Sequence, residues 1–433
     1  MDYVIKRQVR YSANSYSNVI AVQALFTEQG VLISLLRFIY LNRRKSQSWQ
    51  ERCVFAAELL LRFLLFKSDD AISGTALLQA FVDAICFGTL DSNNEDASGL
   101  FWRPRSSDDV SFLLSLINRY CDYLDSQHGT GLPKLSPLRK TTYVEEKLLW
   151  CAYYKRASSA FLNHLSKHSK FQFTKTRVIE PPSRELLAVE SVYRFPESEF
   201  KNFLINGFRR TINDSDYASQ LIVFLMHFGG LRLSECFHIY TSDISIDRKT
   251  GHALVKVFHP SAGKSPDPAF STRRELLNIR YGLKPRNEYP RTHRLYSGWK
   301  SPLLTNRDLS FSVFFYPLSA AREFAKLLQL YLYQRSSTDH PYLFTNYVGQ
   351  PESRKNFIKK YQNALSTVGL EIGKHVGGSP HSHRHSFGYR LAEAGFNLSE
   401  ISKAMHHKSP DSSRVYIKPR DSEIRAKLRE LGL

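Results

Sequence analysis

The sequence predicts a mainly α-helical protein with one small β-hairpin, in a helical N-terminal part and a mixed, mainly helical C-terminal part. Three observations predict it. Apolar residues recur at helical spacing through about the first 165 residues. Polar, turn-rich stretches separate these runs. Beyond residue 191 the pattern changes, and two short β-branched and aromatic runs flank a long polar segment.

Residues 1–30 are weakly patterned and are expected as an N-terminal arm with at most a short strand. The first helix starts near Val31, where Leu32, Leu35, Leu36 and Ile39 share a face and Arg43-Arg44-Lys45 closes the segment. Ser48 with Glu51 has the pattern of a capping box opening a second helix to Lys67. A third is expected over Thr75–Phe87. A polar loop then covers 91–107. A fourth runs from Ser107 or Asp108 to about Ser126, with Val110, Leu113, Leu114, Ile117 and Tyr120 on one side, and a fifth over about Val144–Ser166. Residues 31–166 are thus expected as an all-helical domain. In the stretch 167–190, Lys167, Lys170, Lys175 and Arg177 interleave with Phe171 and Phe173 before Pro181-Pro182. It reads as a basic inter-domain linker along a phosphate backbone, or equally as a solvated charged loop.

The second domain is expected over 191–433. Its apolar helix Tyr217–Phe228 stops at Gly229-Gly230. Strands are expected at Ala253–Phe258 and Phe311–Phe315, and the insertion between them, about 261–308, is expected to loop out. Helices resume at about Ser319–Tyr333 and Ser353–Val368. Asn397 with Glu400 caps another, and Ser409-Pro410 opens the segment that carries Tyr416.

The chain has 433 residues, 42% hydrophobic and 23% charged, with a formal net charge of +20. That balance excludes wholesale disorder and points to a polyanionic partner, nucleic acid first. Five scattered cysteines show no metal-type spacing and read as reduced thiols. The start lacks a secretory pattern, and Glu28, Arg37, Glu58 and Arg62 interrupt the apolar stretches. A soluble cytoplasmic protein without a membrane span is the expectation.

The chemistry concentrates near the C-terminus. His381-Ser382-His383-Arg384-His385 is followed by Met405-His406-His407 and Tyr416, and far upstream lies Gly229-Gly230-Leu231-Arg232-Leu233-Ser234-Glu235. His381 and Arg384, three apart on a helix, can touch one phosphate. Arginine donates two bonds from a planar fork and stays charged. Glu235, one turn from Arg232, would orient it. Singly, each residue has a plainer reading as a surface arginine, a structural histidine or a core tyrosine. Their joint order and spacing carries the inference. His381, His383 and His385 alternate, and since i and i+2 point apart on a helix, one metal ion could not gather all three.

This set resembles the tyrosine recombinase (phage integrase) family over about 191–433, and the helical N-terminal half resembles that family's core-binding domain. The segments Tyr281–Asn287 and Gly298-Trp299-Lys300 also resemble recombinases of the gamma-mobile-trio island type. The resemblance implies a site-specific recombinase that cuts and rejoins duplex DNA at specific target sites through a 3′-phosphotyrosyl link, integrating or excising a mobile element. It implies Arg232 and Arg384 on the phosphate, Tyr416 as nucleophile, His381 as base and His407 on a non-bridging oxygen. It implies a lysine that protonates the leaving 5′-oxygen. Lys264 and Lys300 compete for that role, and Lys300 is preferred because Trp299 would anchor that end of the insertion. No cofactor and no metal are implied. A homotetramer on two duplexes is implied, with accessory proteins open, and the Ile424, Leu428 and Leu431 stripe would dock on a neighbour or pack on its own domain. Two positions depart from the family. His406 stands where the family often has glycine, and His383 where it commonly has an apolar residue. The rival readings are a type IB topoisomerase-like relaxer and a non-catalytic DNA-binding or architectural protein.

Overall fold

A three-stranded antiparallel sheet opens the chain where an arm was expected: β1 (Ile5–Tyr11), β2 (Ile20–Thr27) and β3 (Gly30–Val31), in the order β1-β2-β3. The computed structural model describes residues 3–12, 20–67, 74–91, 93–128, 134–158, 175–179, 193–211, 214–335, 337–417 and 428–429, the side chains of 152–158 and Asp411 aside. Contacts divide the chain into two units, Met1–Leu187 and Ala188–Leu433. The sheet replaces the arm with at most a short strand that was expected over residues 1–30. Val4, Val22, Ala24 and Leu25 bury into the helices, while Lys6, Arg7 and Arg10 stay exposed on β1 and hide its alternation.

Helices α1 (Ile33–Leu41), α2 (Gln47–Phe66), α3 (Gly74–Phe87) and α4 (Ser107–His128) complete this core. Ser46 caps α2 by accepting from the Trp49 amide at 3.3 Å, two residues before the expected Ser48. Leu35, Ile39, Val54, Leu78, Phe81, Ile85 and Leu113 are buried together, each stabilising by about 1.5–3 kcal/mol. Strand β4 (Leu138–Lys140) precedes α5 (Tyr143–Ser158) and pairs antiparallel with β5 (Lys175–Arg177). Arg177 binds the Asp122 carboxylate at 2.6 Å. Lys175 and Arg177 are therefore strand residues, and the rest of the expected linker lies outside the described residues except for Val178 and Ile179.

The second unit begins with a 3₁₀ turn, Glu197–Glu199, then α6 (Phe200–Asn202), a π turn and the ribbon β6 (Arg209–Thr211) with β7 (Asp214–Ser215). Helix α7 (Tyr217–Gly229) is apolar on nearly all sides, so it lies central in the core. Asp216 caps its start by accepting from the Ser219 amide at 3.1 Å. Gly230 caps its end at φ 64°, and a Cβ there would clash with the Phe387 ring. Short α8 (Leu233–Cys236) leads to β8 (Ile244–Ile246) and β9 (Ala253–Phe258). After α9 (Arg273–Tyr281) comes β10 (Ser310–Ser312), giving an antiparallel sheet β10-β9-β8. The last ladder is shorter than the expected Phe311–Phe315. Helices α10 (Ser319–Gln334), α11 (Arg354–Thr367), α12 (Pro380–Glu393), α13 (Leu398–Ala404) and α14 (Arg414–Ile417) complete the unit.

The segment 261–308 does not loop out. It carries α9, and two of its arginines, Arg273 and Arg286, are sunk into the domain. Arg273 is 1% exposed, pairs with Asp243 (Nη1 to Oδ2, 3.0 Å) and lies 4.1 Å over both the Tyr240 and Phe258 rings. Arg286, also 1% exposed, donates to the Glu352 carbonyl at 2.8 Å and lies 4.3 Å over Tyr342. A buried guanidinium needs such a cage of acceptors and ring faces. A count of charged residues could not distinguish it from a solvated loop.

All five cysteines are free thiols. Among the described residues no helix is long and apolar enough to cross a membrane. The Ile424 to Leu431 stripe lies outside the described residues except for Leu428 and Arg429.

Candidate active site

Arg384, on the first turns of α12, is 2% exposed. Its Nη1 donates to the Gly230 carbonyl at the end of α7, and its Nη2 to the Met405 carbonyl just past α13. Three helices thus fix one guanidinium. Burial, with Arg232 nearby, lowers its pKa to about 10, which leaves it a cation at neutral pH.

Arg232 starts α8. Glu235 accepts from its Nη1 at 2.7 Å and from its backbone amide at 2.8 Å, while the other arginine's Nη1 lies 3.9 Å from the same carboxylate. One buried carboxylate therefore stands between two guanidinium groups and neutralises half their charge. A single net positive charge remains in a partly desolvated site, which matches the charge of one phosphodiester.

Tyr416, on α14, is 5% exposed. Its hydroxyl is hydrogen-bonded to His385 Nδ1 at 2.9 Å. Its ring lies edge-on to Tyr389 and over Gly388, where a Cβ would sit 2.8 Å from the phenol carbons. Burial pushes the phenol up to about 12, opposed by the two arginines.

His381 and His385 are one helical turn apart, with ring centroids 4.3 Å apart at 73°. His381 is the more exposed ring, yet surrounding protein desolvates it, and His385, Arg384 and Lys300 add repulsion. Its pKa falls to about 3. His385 falls to about 4, through burial and then Arg384. His407 Nδ1 lies 2.7 Å from the buried Ser413 hydroxyl, and burial plus both arginines lower the ring to about 3. All three are neutral at pH 7. The expected base, His381, is not the histidine on the tyrosine. His385 is, and its i, i+4 spacing from His381 was the available signal.

Lys300 is exposed, but its charge reaches His381. Ser297 donates to the Ser234 carbonyl at 2.9 Å just before it, and Trp299 lies edge-on to His238 at 5.4 Å and His259 at 5.5 Å. Lys264 is tied by its backbone to Asp308, Thr272 and Arg273 at the base of the insertion.

His383 points the other way. It is fully buried, stacks on Phe195 at 4.2 Å, and places Nδ1 3.1 Å from His227 and Nε2 2.9 Å from the Tyr361 hydroxyl. His227 Nε2 meets both Arg390 Nη1 at 2.7 Å and the Glu197 carboxylate at 3.2 Å, so both ring nitrogens of His227 are engaged. Burial lowers both histidines below the normal range, so the pair is neutral. The position is apolar in location and polar only in these satisfied bonds.

Residues 314–423 match the model of the phage integrase family. That span holds His381, Arg384, His385, His407 and Tyr416, and leaves out Arg232 and Lys300. Among solved structures, the chain is similar to the XerH site-specific recombinase bound to palindromic difH substrate in a post-cleavage complex. That likeness has 15% identity, covers 87% of this chain and 77% of the other, and has a TM-score of 0.47. The XerA recombinase is 15% identical over 92% of this chain and 96% of its own, with a TM-score of 0.35. The Tn1549 transposon integrase, in complex with transposon right-end DNA, is 14% identical over 87% and 99%, with a TM-score of 0.36. A search of curated protein sequences found no match.

Proposed function

We propose that this chain, whose residues 314–423 match the phage integrase family, is a tyrosine recombinase that cleaves and rejoins duplex DNA with Tyr416 as nucleophile. The observation that carries the reading is convergence. Arg232 from α8, Arg384 and His385 from α12, His407 from the turn after α13, and Tyr416 from α14 come into one partly desolvated cluster.

The step is a transfer of one phosphoryl bond. The Tyr416 oxygen attacks phosphorus and gives its proton to His385 Nδ1, and the bond to the 5′-oxygen breaks. That oxygen takes a proton from Lys300. Arg232, Arg384 and His407 hold the non-bridging oxygens as the ester becomes a dianion, with His381 beside them. The arriving phosphate also raises the pKa of His385, which strengthens it as the base when substrate is present. The phosphotyrosine keeps the energy of the broken ester, and a 5′-hydroxyl of a second strand reverses the step without ATP. The cationic side chains supply the charge stabilisation that other nucleic-acid enzymes draw from metal ions.

The finer reading is that the protein integrates or excises a mobile element as a homotetramer on two duplexes, in the cytoplasm. The segments Tyr281–Asn287 and Gly298–Lys300 support placing it with recombinases of gamma-mobile-trio islands. The test is a nicked DNA substrate that traps the covalent intermediate. The wild-type chain should form a denaturation-resistant adduct on one strand. Tyr416→Phe should bind DNA and form none, and an adduct with the phenylalanine variant would refute the assignment.

A further inference from the structure

We propose that His406 is a positioning residue that clasps the Lys300 segment onto the catalytic cluster, an inference that rests on the reading of Lys300 as the acid. Three consecutive residues after α13 face three different parts of the site. The Met405 carbonyl accepts from Arg384, and His407 bonds Ser413 beside the phosphate seat. His406 faces the β-sheet side. Its carbonyl accepts from the Leu303 amide at 3.1 Å, three residues after Lys300. Its ring stacks on Phe311 of β10 at 3.8 Å and 29°, with Phe314 lying 6.4 Å away. One residue therefore holds both the segment that carries Lys300 and the strand to which that segment returns.

Two features mark this contact as built for position. His406 adopts φ 55°, a left-handed conformation uncommon outside glycine and one that histidine reaches more readily than most residues. Its ring is 1% exposed, and neither nitrogen has a hydrogen-bond partner. The ring therefore makes no polar bond, and what the side chain supplies is the stack. Burial and the neighbouring Arg384 hold it neutral, so the stack carries no charge of its own toward the phosphate. Ser301, next to Lys300, is also left-handed at φ 45°. The chain turns sharply there, and the two pins, Ser297 on Ser234 before it and Leu303 on His406 after it, set where the ammonium group can reach.

The test uses His406→Gly, which suits the left-handed backbone and removes only the stack, and His406→Asn, which also tolerates that backbone. Adduct formation is measured on two nicked DNA substrates, one ordinary and one with sulfur in place of the bridging 5′-oxygen, a leaving group that needs no acid. Both variants should slow the ordinary substrate by about tenfold or more, since a small displacement of a catalytic group is costly. On the sulfur substrate they should stay within about twofold of wild type. Equal losses on both substrates, or wild-type rates on both, would overturn the clasp. Lys300→Ala run alongside separates the two claims. If it lacks the sulfur rescue while His406→Gly shows it, the clasp stands and positions some other acid. Hydrogen exchange gives a readout that needs no cleavage. The Leu303 amide should exchange faster in His406→Gly than in wild type, and an unchanged rate counts against the proposal.

Discussion

The Tyr416 hydroxyl lies 2.9 Å from Nδ1 of His385, not against His381. Removing a positioned base costs on the order of 10²–10⁴-fold. His385→Ala should therefore slow adduct formation in a single turnover by about that much. His381→Ala should slow it less, since its ring touches His385 and not the phenol. Because His385 titrates near 4 in the free protein, the rate at limiting DNA should not fall through this group between pH 8 and 6. A loss confined to His381→Ala would reverse the two roles.

Arg384→Lys is not a conservative change here. Lysine cannot span both the Gly230 and Met405 carbonyls, and each charge-assisted bond is worth about 1.5–3 kcal/mol. The variant should melt at lower temperature and cleave on the order of 10²–10³-fold more slowly. DNA binding, measured by gel shift, should change little. Normal cleavage by a normally folded lysine variant would remove this guanidinium from the site.

Gly388→Ala separates fold from chemistry. In a helix interior the exchange gains about 0.5–1 kcal/mol. The new Cβ would nonetheless stand 2.8 Å from the Tyr416 ring. The expected variant melts at or above the wild-type temperature and forms little adduct. Wild-type adduct yield would mean that the ring shifts without consequence.

Acid should weaken the second unit before its carboxylates titrate. His227 and His383 are buried and neutral, with folded pKa values below the unfolded 6.5. Below pH 6.5 the unfolded chain binds more protons than the folded one, so stability is present above that pH and is lost as pH falls. Each such histidine contributes about 1.4 kcal/mol per pH unit to the slope. Denaturant midpoints at pH 7.5, 6.5 and 5.5 should fall steeply over the last interval. A flat profile would indicate that the pair is already protonated in the fold.

The mainly helical class and most helix positions were legible because they follow from local periodicity and caps. The N-terminal sheet was not, since β1 is exposed along most of its length and carries Lys6, Arg7 and Arg10. That Arg232, Arg384, His407 and Tyr416 lie near one another was readable from order and spacing. The tyrosine's hydrogen-bond partner was not, because His381 and His385 lie on the same helical face and only the placement of α14 decides between them. His383 was recognisable as an oddity. That its polar atoms meet His227 and Tyr361 depends on packing between α7, α11 and α12, which no local pattern encodes.

Arg273 and Arg286 give the stretch between the two strands a hidden dependence on distant parts of the chain. Asp243 lies before β9, and the Glu352 carbonyl lies just before α11. Grafting a shorter hairpin from another protein would strand Asp243 as a sunken lone anion and open the cage around Tyr240 and Tyr342. The stretch is therefore not a detachable cassette. Its length and the residues at 240–243 and 342–352 would have to be exchanged as one block.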